Sequence, residues 1–333
     1  MSQETQEWLE QNIKVGFTTE RGKAWWARED DDTSQFPGAI PTEEARRLIG
    51  FEVVESPLAA ILPSGEFLTV PDKKALIRAD TATVLGTPGT GYLVHDNCAW
   101  LLENVFAFLG GGVEIGSVGL LRGGAVAFAQ MEFKETMQHA GERFRPFITA
   151  VTSLDSSFAT TYKSGAQRVV CDNTLAAFLG ADNVTLRKRH TSGSKVNAEE
   201  LRQRFNVQLG EIGDAFTAEL DQLLDVSVSD AQWAEFLNAH TGDPSEMDKG
   251  RTKSLAEKKQ DTLNELYFHD PRVAPWSGSE WGVLQAVSTF QQHLATIQGG
   301  NRVETNALKF LGGKTAVEEA EARATLDRIL TTT

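Results

Sequence analysis

Val113-Glu-Ile-Gly-Ser-Val-Gly-Leu-Leu121, Arg122-Gly-Gly124 and Ala125-Val-Ala-Phe-Ala-Gln-Met-Glu-Phe133 decide the fold class. Two apolar runs of strand length flank a short segment with two glycines. Glycine supplies the positive φ that a tight hairpin turn demands. Val113–Ser117, Gly119–Leu121, Ala125–Phe133 and, further on, Arg145–Ser153 therefore read as a run of strands. On the N-terminal side, Phe51-Glu-Val-Val and Gly65-Glu-Phe-Leu-Thr-Val are short strands bounded by Pro57, Pro63 and Pro71, with Lys73–Asp80 as another. Between the two groups, His95–Leu109 reads as a helix. Ala99, Leu102, Val105, Phe106 and Leu109 recur at helical spacing, Asp96 or Asn97 can cap it, and Gly110–Gly112 end it.

Beyond these strands, Arg168–Cys171 is a further strand, Asp172-Asn173 a turn, and Thr174–Leu179 the start of a short helix. The pattern then turns helical and stays so. Glu199–Leu224 is amphipathic but interrupted near Gly210 and Gly213; Asp230–Ala239 follows with Ser229 or Asp230 as its cap. Lys253–Phe268, Glu280–Ile297, Arg302–Phe310 and Thr315–Leu330 complete the series. Strands and helices do not alternate, which argues against a doubly wound nucleotide-binding sheet. The expected class is α+β: a β-rich antiparallel N-terminal half with short helices, followed by a helical C-terminal half. The expected divisions are an irregular arm over 1–50, a β-rich core domain over 51–197 and a helical region over 198–333. In the arm, Trp25-Trp26 either pins the segment to the core or offers a stacking surface.

The chain has 333 residues, of which 41% are hydrophobic and 23% charged, the balance of an ordinary globular protein. No apolar run reaches the roughly 20 residues that cross a bilayer. The start, Met1-Ser-Gln-Glu-Thr-Gln-Glu7, is polar and acidic, unlike a secretory signal or transit peptide, so a cytoplasmic location is expected. The net charge of −14 makes most of the surface repel nucleic acid and anionic membranes. Residues 151–209 are the exception, with eight Lys/Arg against five Asp/Glu.

Motifs for chemistry are weak. Gly86-Thr-Pro-Gly-Thr-Gly91 and Gly110–Gly112 lack the lysine and the spacing of a phosphate-binding loop, and read as turns. The six histidines form no i+3 or i+4 pair, and the two cysteines, Cys98 and Cys171, form no Cys-x-x-Cys, so no metal and no cofactor is expected. His95 and Cys98, one helical turn apart, are the only base–nucleophile pair the spacing offers. The sequence therefore leans away from an enzyme, without deciding the point.

The basic window is the remaining signal. Lys163, Arg168, Arg187, Lys188 and Arg189 are the candidate phosphate contacts, with Tyr162 (or Trp25) as a stacking residue and Phe158 and Phe178 nearby. Two blander readings stand beside this one. The triplet Arg187–Arg189 is also what a solvated loop looks like, and Arg168 also suits a structural pairing with Asp155 or Asp172 while Asn173 caps the helix after it.

Several segments together resemble the DUF932 family, the phage- and plasmid-related proteins of unassigned function. They are Leu76-Ile-Arg-Ala-Asp-Thr81 with Leu85-Gly86, His95-Asp-Asn-Cys-Ala-Trp-Leu-Leu-Glu103, the strand pair around Gly119-Leu-Leu-Arg-Gly-Gly124 and Ser153-Leu-Asp-Ser-Ser157. Arg168-Val-Val-Cys-Asp-Asn-Thr-Leu175, with the cations that end at His190, is the most specific, and Trp281-Gly-Val-Leu-Gln-Ala-Val-Ser-Thr-Phe-Gln-Gln-His293 closes the set. The resemblance implies a bacteriophage or plasmid setting inside a bacterial host cell, and no established reaction. With the basic window it leads to an expected function: an oligomeric nucleic-acid-binding protein, for single-stranded DNA first, in binding, annealing or recombination during phage DNA metabolism. The alternative is a non-enzymatic assembly factor that recognises a host or phage protein through its acidic helical half.

Overall fold

The computed structural model describes residues 17–18, 35–109, 112–134, 136–168, 185–195, 198–296 and 302–332. Antiparallel sheets occupy the N-terminal half and helices the C-terminal half, the α+β class that the sequence pattern implies. The chain forms two compact units. The first comprises Met1–Thr136, Arg145–Gly165 and Ala181–Glu211, and the second Met137–Phe144, Ala166–Gly180 and Ile212–Thr333.

In the first unit, β1 (Phe17–Thr18) pairs in parallel with β2 (Gln35–Phe36). Helix α1 (Thr42–Ile49) buries Ala45, Leu48 and Ile49. Strands β3 (Val53–Ile61), β4 (Phe67–Arg78) and β5 (Thr83–Gly86) form an antiparallel sheet in that order. The two strands expected on either side of Pro71 are one strand with an irregularity. Proline cannot donate to the ladder, and Asp72 adopts φ 57°, a conformation Asp tolerates better than most residues. Pairing with β3 accordingly jumps from Pro57↔Lys74 to Ala59↔Thr69. The base of this sheet contributes Leu76 and Leu85 to a core with Ala125 and Leu154, closed by Phe51, Val53, Tyr92 and Val94.

The expected helix at 95–109 contains a π-helical turn, Ala99–Glu103, which runs into α2 (Asn104–Leu109). Asp96 is the cap: its Oδ1 accepts from the Ala99 N–H at 2.7 Å. Asn97 is used differently, donating from Nδ2 to the Ile49 carbonyl at 2.9 Å and tying this helix to the end of α1.

Six strands make the larger sheet: β6 (Val113–Leu121), β7 (Val126–Phe133), β8 (Met137–His139), β9 (Glu142–Ser153), β10 (Thr160–Arg168) and β11 (Thr185–Lys188). Their order is β11-β10-β9-β7-β6, with β8 paired to β9. The Arg122-Gly-Gly signal forms the β6–β7 turn, with positive φ at Arg122, Gly123 and Gly124. Residues 126–132 of β7 and 144–153 of β9 are buried without a break, so the polar Gln130, Glu132, Arg145, Thr149, Thr152 and Ser153 are buried along with their apolar neighbours.

Helix α3 (Ala198–Asp225) is unbroken, contrary to the interruption expected near Gly210 and Gly213. Gly213 answers to packing instead: a Cβ built there would meet the end of the Met137 side chain at 2.5 Å. In the second unit follow α4 (Asp230–Thr241), α5 (Arg251–His269), α6 (Glu280–Thr289), a π-helical turn at Phe290–Leu294, α7 (Arg302–Leu311) and α8 (Lys314–Thr332). Ser229 and Gln232 make a reciprocal capping box at the start of α4. Every residue of α6 is buried, so it forms the centre of this unit. Trp281 on α6 donates to Glu142 Oε1 at 3.2 Å, and Trp233 of α4 stacks on Tyr267 of α5 with ring centroids 4.1 Å apart. Among the described residues no helix is long and apolar enough to cross a membrane.

Candidate functional site

Strand β11 lies at the edge of the larger sheet and carries the basic triplet into the turn that follows. Its register on β10 is Thr160↔Lys188, Thr161↔Arg187, Tyr162↔Leu186 and Lys163↔Thr185. Side chains alternate across a strand, so Lys163 and Arg187 belong to one face of the ribbon and Tyr162 and Leu186 to the other. Burial follows that division. Tyr162 and Leu186 are buried, Lys163 is half-buried and Arg187 is exposed. Lys188 is half-buried, and Arg189, just past the strand, is exposed. The Arg189 carbonyl accepts from the Thr191 N–H at 2.9 Å and from the Ser194 hydroxyl, which fixes the backbone beyond the triplet. Among the described residues no ion pair engages Arg187, Lys188 or Arg189.

Tyr162 has to leave the set of stacking candidates. It is fully buried, and its hydroxyl donates to the Trp100 carbonyl at 2.7 Å. Burial pushes its phenol well above the ordinary tyrosine range. No face of the ring is open to a base. Arg168 is the last residue of β10, but its side chain lies outside the described residues. Trp25, Trp26, Cys171, Asp172, Asn173 and the expected helix at Thr174–Leu179, with Phe178, lie outside them too. Asp155, weighed as a partner for Arg168, takes Arg122 at 2.7 Å and Ser157.

The structure assembles a second constellation that sequence spacing does not reveal. His95, just before the π turn, stacks on Trp100 with centroids 3.6 Å apart, and on its other side meets His190 at 4.1 Å. Tyr92 stacks on His190 at 4.4 Å and donates its hydroxyl to the Ser153 carbonyl. The four rings Tyr92, His190, His95 and Trp100 thus form one pile. Two threonines lace its edge. His95 Nδ1 lies 2.7 Å from Thr160 Oγ1, which lies 2.7 Å from Thr152 Oγ1, which lies 3.4 Å from His190 Nε2. His190 Nδ1 reaches the Leu93 carbonyl at 2.9 Å.

The protons in this chain follow from its ends. A carbonyl only accepts, so His190 Nδ1 carries a hydrogen, and a neutral His190 presents a bare Nε2 to Thr152. Thr152 then donates to His190 and accepts from Thr160, which accepts from His95 Nδ1–H. One lone pair is left over: His95 Nε2 is buried with no hydrogen-bond partner. Burial is the chief cause that lowers His95 to about 4, with the neighbouring His190 adding to it. Burial also lowers His190, against the Leu93 and Phe158 carbonyls, which favour its protonated form. Both imidazoles are therefore neutral near pH 7.

The His95–Cys98 pair does not form a nucleophilic dyad. His95 is committed to Thr160, while the Cys98 thiol points to the Arg46 carbonyl at 3.8 Å. Burial raises the Cys98 pKa, the opposite of what a thiolate nucleophile needs. Among the described residues no group of three or more His, Cys, Asp and Glu converges as a metal site would require.

No curated protein and no solved structure matches the chain. One family model does, over residues 84–326: the domain of unknown function DUF932. Its span holds the basic sheet edge, the ring pile with its threonine chain, and the buried helix α6. The chain belongs to the DUF932 family.

Proposed function

We propose that this protein binds nucleic acid, single-stranded DNA first, along the β11 edge of its larger sheet. The observation that carries the proposal is the exposed pair Arg187 and Arg189, with Lys188 between them, on a strand end of an otherwise acidic chain. Lys163 shares the face of Arg187 by register. Cations held on a paired strand keep their geometry when a phosphate arrives, so less ordering entropy opposes binding than in a free loop. The acidic remainder of the surface repels a polyanion and confines it to this edge. The setting that accords with the family resemblance is phage or plasmid DNA metabolism in the cytoplasm of a bacterial host, with the protein acting as an oligomer. Tyr162 takes no part in this reading.

The test is a labelled oligonucleotide titrated with the pure protein over a range of salt. Three phosphate contacts to a single strand predict a log–log salt slope of about −2. Converting Arg187, Lys188 and Arg189 together to Glu abolishes the binding. If the wild-type protein shifts no oligonucleotide at low salt, the proposal fails.

A further inference from the structure

The hairpin of β3 and β4 has a supported base and an unsupported end. Residues 59–69, eleven in succession, are all exposed. Six of them are apolar: Ala59, Ala60, Ile61, Leu62, Phe67 and Leu68. Ile61 is 70% exposed, Phe67 75%, Leu68 57% and Leu62 37%. Ile61 pairs with Phe67, and Ala60 with Leu68, so these apolar pairs fall on opposite faces of the ribbon. A strand with one face in water alternates apolar and polar residues; this ribbon is apolar on both. At its base, beyond the Lys74–Glu55 ion pair, the cross-strand row Val54, Ile77, Val84 exposes further apolar surface, with Val54 42% and Val84 57% exposed. Among the described residues, five of the eleven exposed large hydrophobics lie in the strands of this one sheet and a sixth, Leu62, in its hairpin loop. Exposed apolar surface concentrated in this way marks an interaction site.

We propose that the distal half of the β3–β4 hairpin is an assembly arm that docks on a second copy of this chain. Charge limits the occupant. From Ser56 to Pro71 the only ionised side chain is Glu66, so the arm has no cation for a phosphate. A lipid surface suits it poorly as well. The chain's net charge of −14 repels anionic bilayers, and the unpaired outer edge of a two-stranded ribbon is costly to place in hydrocarbon. A protein partner remains. A lone two-stranded ribbon is at best marginally stable in water, so the arm needs cover from the moment it folds. The partner that is always present is another copy of the same chain. Two copies repel each other over most of their acidic surface, and the nearly charge-free arm is where they can meet without that repulsion. Eleven residues make roughly half of the 20–30 that each side of a stable interface contributes, so the Val54–Ile77–Val84 row and the receiving surface supply the rest.

The arm lies outside residues 84–326 and gives the oligomeric part of the proposed function a physical surface. Its test uses no nucleic acid, so it stands or falls separately from DNA binding at β11. Light scattering on the full chain across a wide concentration range reads a mass above the 36.4 kDa of one chain. The double substitution Ile61→Glu, Phe67→Glu returns it to the mass of one chain, with circular dichroism unchanged. Amide hydrogen exchange on the wild type gives a readout that needs no variant: residues 59–69 gain about tenfold protection as concentration rises. A single-chain mass at every concentration, with 59–69 exchanging freely, overturns the proposal. So does a mass that the double substitution leaves unchanged, and so does protection that appears only with phosphatidylcholine vesicles.

Discussion

His95 and His190, ninety-five positions apart in the chain, lie ring over ring with centroids 4.1 Å apart and are joined at their edges through Thr160 and Thr152. The pair links the turn before the π helix to the end of the basic edge strand. Leu93 strengthens the link, since its carbonyl accepts from His190 Nδ1 and its N–H donates to the His190 carbonyl at 3.0 Å. The residues that present Arg187 and Arg189 are thereby anchored one position beyond them.

This arrangement predicts a loss of stability in acid. His95 is lowered to about 4 when folded, against about 6.5 when unfolded. The unfolded chain therefore takes up a proton that the folded chain refuses. The contribution is fully present above pH 6.5 and is lost as pH falls from there toward 4. Over that window one such group removes on the order of 3 kcal/mol. His95→Phe keeps a ring against Trp100 and removes the titration. Urea midpoints measured in pH steps should show a flatter acid limb for the variant, by up to about 1.4 kcal/mol per pH unit. Parallel acid limbs for variant and wild type would show that His95 does not govern this loss.

Tyr162→Phe separates structure from binding. The change removes one hydrogen bond to the Trp100 carbonyl and costs about 1 kcal/mol. Because the ring is buried, affinity for an oligonucleotide should stay within twofold of wild type, about 0.4 kcal/mol. Arg187→Glu, on the exposed face, should cost no stability and at least tenfold in affinity, about 1.4 kcal/mol. The two variants, compared by gel shift and thermal melt, should exchange their losses. A Tyr162→Phe variant that folds normally yet binds tenfold more weakly would put the phenol back in contact with nucleic acid.

These examples show where the sequence is readable. The Arg122-Gly-Gly turn, the Asp96 cap and the Ser229–Gln232 box rest on residues within four positions of each other, so local geometry dictates them. The ring pile draws on residues from 92, 95, 100 and 190, and its threonines from 152 and 160; only the pairing of distant strands brings these together. Tyr162 shows the same limit on a smaller scale. Next to Lys163 it looks like part of a basic-aromatic patch, but alternation along β10 sends it to the opposite face. The unbroken α3 shows how tertiary contact overrides propensity, since the helix-weakening Gly213 makes room for Met137.

In the second unit, Arg323 of α8 meets Glu219 of α3 at 2.5 Å and Glu280 of α6 at 3.3 Å. Burial is the leading cause that raises both carboxylates, and Arg323 opposes it. Arg323→Met leaves two largely buried carboxylates without their cation. The sign follows from their raised values. Carboxylates that hold protons more tightly when folded cost nothing below the ordinary glutamate range; the loss builds as pH rises from that range through their folded values and levels off above them. Arg323→Met should therefore be destabilised by about 2–4 kcal/mol near neutrality and approach wild type at acid pH. Glu280→Gln in the same background should restore part of the neutral loss. Chemical denaturation of the three proteins at both pH values measures this; a deficit independent of pH would mean that Arg323 acts through packing alone.

Two helical glycines should respond oppositely to the same substitution. At Gly213 of α3 an added Cβ meets Met137 Cε at 2.5 Å and Sδ at 2.6 Å, the far end of a flexible side chain. Methionine can swing aside, and alanine in a helix interior gains about 1 kcal/mol over glycine, so Gly213→Ala should lie within about 1 kcal/mol of wild type. At Gly282, near the start of α6, the Cβ meets the Trp276 carbonyl oxygen at 2.2 Å and its carbon at 2.7 Å. That backbone belongs to the turn in which Ser279 both caps α6, accepting from the Gly282 N–H at 3.1 Å, and donates to the Trp276 carbonyl at 2.6 Å. It cannot yield without loss of the cap, and α6 is buried along its whole length. The helix-propensity gain is the same at both sites, so the difference between them isolates the backbone clash. Gly282→Ala should cost more than about 2 kcal/mol. Urea denaturation of the two variants should separate their midpoints, and equal midpoints would mean that the Trp276–Ser279 turn is free to move.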